Sequence, residues 1–170
     1  MRSTDKQEQF LSIIQGNRGI IYKVANAYCN NAEDRKDIAQ EIVLQLWRSF
    51  DNYPAEYKHS TWIYRIALNV AISFYRKENS RKKISQDLTD AVFDLADAET
   101  AAVKESTIQL LQQFIAGLKE LDKALMLLYL EERSYREIAE IIGITETNVA
   151  TKLSRIKTDM KQKFSLIQNK

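Results

Sequence analysis

Thr147, Asn148, Thr151, Ser154 and Arg155 recur at the spacing that places them on one side of a helix, with Lys152 on the flank. Short hydroxyl and amide side chains beside cations are suited to hydrogen bonds with base edges and phosphates. A second set interleaves aromatics with cations: Tyr53, Tyr57, Trp62, Tyr64, Arg65, Phe74, Tyr75, Arg76 and Lys77. Aromatic faces stack on unpaired bases, and neighbouring cations hold the backbone, which is the chemistry of single-strand binding. Trp62 fits a helix core as well as a base contact, because Ile63, Ile66, Ala67, Val70 and Phe74 must also be buried. A third set is Asp37, Gln40, Glu41, Leu44 and Arg48, at i, i+3, i+4, i+7 and i+11. Polar groups around one apolar residue suit a partner helix or coiled coil, but taken alone they fit better a solvated face with a single exposed Leu; Trp47 borders this stripe.

The first set needs a platform, and the flanking residues supply it. Residues 134–157 read as a helix, a three-residue turn and a second helix. Gly143 stands where the chain must reverse, and glycine takes the left-handed shape without a Cβ clash. Thr145 can cap the next helix through its hydroxyl. Val149, Leu153 and Ile156 share the face opposite the polar set and should pack on Ile138, Ile141 and Ile142. This is the pattern of a helix-turn-helix, whose second helix enters the major groove of DNA. The same pattern also fits an ordinary helical hairpin with a solvated face.

Upstream, Phe10, Ile13, Ile14, Ile20, Ile21, Val24 and Tyr28 form a helical stripe over residues 5–29, with Gly16 and Gly19 marking a kink. Asn30, Asn31 and the acids that follow cap a helix over about 32–50. Its core face holds Ile38, Ala39, Ile42, Val43, Leu46 and Phe50. Asp51–Ser60 is a loop with the only Pro and the only His, Pro54 and His59. A third helix runs from Thr61 to Lys77. Residues 84–103 contain five acids and no Lys or Arg, with sparse apolar residues, and read as a linker. Helices resume at 106–116 and 122–131.

The fold expected is therefore all-α. Two small helical domains, 1–78 and 106–170, are joined by a flexible acidic linker at 79–105, and the second is a four-helix, winged-helix-like domain with the helix-turn-helix. The chain has one Pro and 4 Gly in 170 residues, few breakers for its length. Net charge is only +2, but it is unevenly spread. Residues 144–170 hold six basic and two acidic side chains, whereas 106–143 hold four basic and six acidic. Positive charge thus gathers on the proposed recognition helix.

Several functions are excluded. There is no Gly-rich phosphate loop, Ser/His/Asp set or HExxH motif, so no catalysis is expected. His59 has no second His to form a metal site, and no cofactor fingerprint is present. One cysteine, Cys29, forms no intrachain disulfide. No apolar run approaches the roughly 20 residues of a membrane span, and MRSTDKQEQF is not a secretion signal. The expected location is cytoplasmic.

With these segments placed, the chain resembles a bacterial RNA polymerase sigma factor of the extracytoplasmic-function group of the sigma-70 family, over nearly its whole length. DRKDIAQEIVLQLWRSF looks like the family's core-binding helix. STWIYRIALNVAISFYRK looks like the promoter −10 segment, with its W-[LI]-x-R-I-A-x-N pattern. YREIAEIIGITETNVATKLSRIK looks like the −35-reading helix-turn-helix. The resemblance implies that Asp37, Gln40, Glu41, Leu44, Trp47 and Arg48 meet the clamp helices of the largest subunit of core RNA polymerase. It implies that Tyr53, Tyr57, His59 and Trp62 surround an extruded −10 base, with Asn69 supporting that site and Arg65, Arg76 and Lys77 on backbone phosphates. Thr145, Thr147, Asn148, Thr151, Lys152 and Arg155 would read −35 duplex. The acidic linker would thread toward the polymerase RNA path. Partners implied are the polymerase, promoter DNA and an anti-sigma factor, often membrane-bound, with no small-molecule substrate. Ala150 departs from the many relatives with Lys or Arg there, which removes one phosphate contact. A stand-alone helix-turn-helix regulator and a polymerase-binding anti-sigma or adaptor protein remain the alternatives.

Overall fold

The computed structural model describes residues 3–92 and 107–168. Among them are seven α-helices, one 3-10 turn and no strand. The first three helices are α1 (Ser3–Tyr28), α2 (Ala32–Ser49) and α3 (His59–Val92), with the 3-10 turn at Phe50–Asn52. The other four are α4 (Thr107–Ala116), α5 (Glu120–Leu130), α6 (Tyr135–Ile142) and α7 (Glu146–Gln168).

Helices α1, α2 and α3 pack on one another around Val24, Ile38, Ile42, Leu46, Ile63 and Ala67, all essentially inaccessible to solvent. Every one of these apolar positions lies on the helical stripe that the sequence spacing marks. α1 continues through Gly16 and Gly19 as one helix. The α2 start is fixed locally: the Asn31 side chain accepts a hydrogen bond from the Asp34 amide at 2.7 Å. Glu33 and Asp34 in the first turn also complement the positive end of the helix dipole.

The expected end of α3 at Lys77 is corrected: the helix runs to Val92. No Gly or Pro occurs between Ser60 and Val92, so nothing in the backbone stops it. The first half of the segment assigned to the 79–105 linker is thus helical. Residues 93–106, which carry Asp94, Asp97 and Glu99, lie outside the described residues.

In the second half, Leu125, Leu128, Ile138, Val149 and Leu153 are fully buried where α5, α6 and α7 meet. The turn before α6 carries Glu132 at φ 59°, a left-handed position unusual for a side chain with a Cβ. The Arg133 amide then bonds back to the Leu128 carbonyl at 3.1 Å, closing the end of α5.

The two halves also pack against each other. α5 and α6 rest on α3, and α5 touches α1. Polar links among the described residues tie them. The Tyr28 hydroxyl donates to the Glu120 carbonyl at 2.7 Å, and Lys23 pairs with Glu131 at 2.6 Å. Arg76 pairs with Glu120 at 2.7 Å, and Arg133 reaches the Ser60 hydroxyl at 3.5 Å.

Candidate nucleic-acid interface

The helix-turn-helix is assembled by local chemistry. Ser134 caps α6, its hydroxyl accepting from the Glu137 amide at 3.1 Å. Gly143 closes that helix at φ 84°, and its amide bonds the Ala139 carbonyl at 2.8 Å. A Cβ has room at Gly143, but the left-handed backbone there strains any L side chain. Thr145 caps α7 as its spacing predicts, accepting from the Asn148 amide at 3.1 Å. Val149, Leu153 and Ile156 are buried on the side facing Ile138 and Ile141.

The opposite side of α7 is open. Thr147, Asn148, Thr151, Ser154 and Arg155 are all exposed, and Lys152 is half-buried on the flank. Thr151 donates its hydroxyl to the Thr147 carbonyl at 2.9 Å, which fixes its rotamer while leaving its oxygen lone pairs available. Lys157, just beyond, rests over the Tyr129 ring at 4.1 Å. A hydrogen bond to Tyr129 holds its ammonium above the usual lysine range.

The aromatic segment is built differently. Phe10, Trp47, Phe50, Tyr53 and Trp62 form one contiguous edge-and-tilt cluster, with ring centroids 5.0–6.1 Å apart. Trp62 is only 5% exposed. Its placement as a direct base contact is therefore corrected: its ring is spent on the core, where it supports Tyr53. Tyr53 itself is half-buried, bonds the Tyr57 carbonyl through its hydroxyl, and stands 5.3 Å from the His59 ring. Burial pushes the Tyr53 phenol above its ordinary range. Tyr57 carries Arg65 over its ring at 5.2 Å. The structure thus gathers Tyr53, Tyr57, His59 and Arg65 at the start of α3.

Further along α3, Arg65, Asn69 and Arg76 recur at i, i+4 and i+11, one stripe of the helix. Asn69 and Lys77 are exposed and line a shallow groove of about 460 Å³ between α2 and α3, with Gln45, Ser49 and Ser73. Arg76 is exposed too, but its guanidinium already bonds Glu120 from the second half, and that bond holds the Glu120 carboxyl below its usual range.

On α2, Asp37, Gln40, Glu41, Leu44 and Arg48 are all exposed, on the side away from Ile38, Ile42 and Leu46. Glu41 accepts from the Gln45 side chain at 2.8 Å. Trp47 is half-buried, edge-on to Phe10, with the Lys6 ammonium 4.7 Å over its ring. Between α1 and α2 runs a largely apolar groove of about 770 Å³. Sequence reasoning named its α2 wall, through Gln40, Leu44 and Trp47, but not the α1 wall. There Leu11 is 49% and Tyr22 61% exposed. Their separation of three helical turns was the available signal.

Two family models match the chain in order. One described as Sigma-70 region 2 covers residues 13–81, and one described as Sigma-70, region 4 covers 108–160. Together they take in most of the chain, and each falls on one of the two packed halves. The chain belongs to the sigma-70 family. It is an extracytoplasmic-function sigma factor, and such proteins direct promoter-specific transcription. It is 28% identical to the ECF RNA polymerase sigma factor SigW of Bacillus subtilis, over 88% of this chain and 85% of that one. It is 28% identical to the RNA polymerase sigma-H factor of Pseudomonas aeruginosa, over 76% and 72% of the two chains.

Two solved structures share the fold of this sigma factor. Sigma factor RpoE in complex with the anti-sigma factor NepR, from Bartonella quintana, aligns with a TM-score of 0.60 at 18% identity, over 93% of this chain and 95% of that one. CnrH in complex with the cytosolic domain of CnrY aligns with a TM-score of 0.66 at 14% identity, over 94% and 90%.

Proposed function

We propose that this sigma factor docks on core RNA polymerase through the exposed side of α2, reads −35 duplex with α7, and captures a −10 base at the start of α3. What supports the reading is that one chain carries an exposed polar stripe around Leu44 on α2, an aromatic-cationic set at the start of α3 and an exposed polar side of α7, each on a different element. Leu44, 40% exposed between Gln40, Glu41 and Arg48, is the apolar centre of the docking face. The clamp helices of the largest polymerase subunit are the expected occupants, with Asp37 and Arg48 at the polar edge and Trp47 at the border of the adjoining groove.

Tyr53, Tyr57 and His59 would offer ring faces to the extruded base, and Asn69, in the groove between α2 and α3, an amide to its edge. Extrusion costs a few kcal/mol of lost stacking, which a pocket of this kind offsets. Arg65, Arg76 and Lys77 hold the backbone on either side. Thr145, Thr147, Asn148, Thr151, Lys152 and Arg155 contact the −35 duplex. The chain supplies recognition, and the polymerase supplies bond formation, so no catalytic group is required here. No described helix is long and apolar enough to cross a membrane, and the place of action is the cytoplasm with polymerase and DNA. One of the two solved structures of this fold was captured with an anti-sigma factor and the other with the cytosolic domain of CnrY, and an anti-sigma partner is expected here as well.

The test is transcription from a linear promoter with purified core polymerase, with run-off product appearing only when this chain is added. Leu44→Asp should weaken polymerase capture at least about tenfold while helix content stays unchanged, since a carboxylate would be desolvated at the centre of the contact. Polymerase capture unaffected by Leu44→Asp would remove the docking assignment. Tight duplex binding without polymerase would favour a stand-alone regulator, and polymerase binding without promoter-dependent initiation would favour an adaptor.

A further inference from the structure

Lys6 stands at the end of the first turn of α1, ahead of residue 13, where the match to region 2 begins. Its side chain is only 25% exposed. The ammonium donates to Asp51 Oδ2 at 2.7 Å and lies 4.7 Å over the Trp47 ring. Phe10, one turn further along α1, is buried edge-on to both Trp47 and Phe50. Two residues of α1 thus grip the point where α2 passes into the 3-10 turn Phe50–Asn52. That turn delivers the chain to Tyr53, whose amide bonds the Phe50 carbonyl at 3.3 Å.

The two grips do different things. Aromatic pairs hold a separation but tolerate tilt, and in this cluster the interplanar angles run from 37° to 73°. A charge-assisted hydrogen bond is short and directional, so it fixes which way the turn faces. Lys6 reaches Asp51 with its ammonium held over Trp47, which leaves its long side chain few other rotamers. Asp51 is 67% exposed, and an ion pair that wet contributes little to folding. Its consequence is geometric instead. Tyr53 lies two residues beyond Asp51, with its ring beside His59 and its hydroxyl on the Tyr57 carbonyl. A turn that tilts at Asp51 therefore carries the rings at the start of α3 with it.

We propose that Lys6 is a positioning residue for −10 capture: through Asp51 it sets the orientation of the loop that carries Tyr53, Tyr57 and His59, and it touches no DNA itself. That role rests on the function proposed above, in which this loop takes the −10 base. It gives the start of α1, which precedes the matched region, a task at a site built from other elements. A lysine this near the loop could instead hold a phosphate, and Asp51 separates the two roles. If Lys6 held a phosphate, Asp51 would compete for its ammonium, and neutralising Asp51 would help DNA binding. If Lys6 acts through Asp51, neutralising either residue does the same harm.

The experiment is open-complex formation by the full-length chain with core polymerase on a linear promoter, read by permanganate reactivity of unpaired thymines. Lys6→Met keeps an apolar stem over Trp47 and removes the charge. It should slow opening about fivefold, with helix content and polymerase capture unchanged. Asp51→Asn should slow it equally, and Lys6→Arg should keep most of the wild-type rate. Lys6→Glu should be slower than Lys6→Met, and Lys6→Glu with Asp51→Lys should return to within about twofold of wild type. The salt dependence of opening should be the same for Lys6→Met as for wild type, because no phosphate contact is lost. A salt dependence reduced by about one ion in Lys6→Met, or Asp51→Asn opening as fast as wild type or faster, overturns the role. Should Lys6→Met lose helix content, Asp51→Asn, at an exposed position, reads the same pair. Tyr57→Ala keeps the two readings apart: normal opening by that variant strikes the assignment of the loop to −10. A defect in Tyr57→Ala with normal opening by Lys6→Met and Asp51→Asn strikes only the positioning role.

Discussion

The two surfaces proposed to contact nucleic acid are made in opposite ways. The α7 surface is mounted on a small core by three nearby features, the Ser134 cap, Gly143 and the Thr145 cap, and its polar residues project into solvent. It is finished before DNA arrives, as suits a reader of duplex whose shape is already set. The surface at the start of α3 is assembled from α1, α2, the 3-10 turn and α3 through the Phe10–Trp47–Phe50–Tyr53–Trp62 cluster. It is also partly engaged, with Arg76 on Glu120 and Arg65 over Tyr57. A surface that must capture a base out of the stack gains from such long-range support, because the pocket has to stay rigid while the DNA gives way. The cost is that it depends on distant packing, whereas the α7 surface depends on its own turns.

That difference can be broken first at Trp62. Trp62→Ala removes the centre of the aromatic cluster and should destabilise the first half by about 3–5 kcal/mol. Denaturant unfolding would measure it, and −10 opening should fall along with stability. Asn69→Ala, at an exposed site on the same helix, should leave the unfolding midpoint alone and reduce only open-complex formation, read by permanganate reactivity of unpaired thymines. If Trp62→Ala kept full stability and lost only base capture, the ring would be a direct contact after all.

Arg155→Ala probes the other surface and should cost about 1–3 kcal/mol of −35-dependent affinity with the fold intact. Loss confined to one base position would assign Arg155 to a base edge. Uniform weakening with a salt dependence reduced by about one ion would assign it to a phosphate. Equal activity on intact and −35-mutated promoters would remove it from the interface.

The same contrast explains what could be read from the residues alone. The helix-turn-helix was legible to its turn and its second cap, because Gly143 and Thr145 act on residues within four positions, whereas the Ser134 cap was not read from the sequence. Likewise the α2 stripe follows from helical periodicity, and its residues do stand on one exposed side. Trp62 could not be assigned, because a tryptophan flanked by cations satisfies both stacking on a base and packing in a core, and only Phe50 and Tyr53 arriving from another element decide it. The end of α3 was misplaced because acidic composition reads as linker, although no residue there breaks a helix. The burial of Lys123 on α5 was invisible: the rings under its ammonium, Tyr28 and Tyr75, lie 95 and 48 positions away in the chain, and no local pattern marks a lysine for burial.

The smallest expected effect concerns how the two surfaces are joined. Arg76 holds Glu120 in its charged form, so the Glu120 carboxyl titrates below its ordinary 4.5. A depressed carboxyl contributes stability that is present above the ordinary value and disappears as pH falls through the lowered one. The contact between the halves should therefore loosen on the acid side of pH 4.5, and no change from this group should appear between neutral pH and that point. Glu120→Gln should open the contact slightly at all pH values and abolish the acid step, because the amide cannot titrate. An acid step that survives in Glu120→Gln would remove the Arg76 pair as its source. A step that vanishes in Glu120→Gln assigns the acid-sensitive part of the contact between the halves to the Arg76 pair.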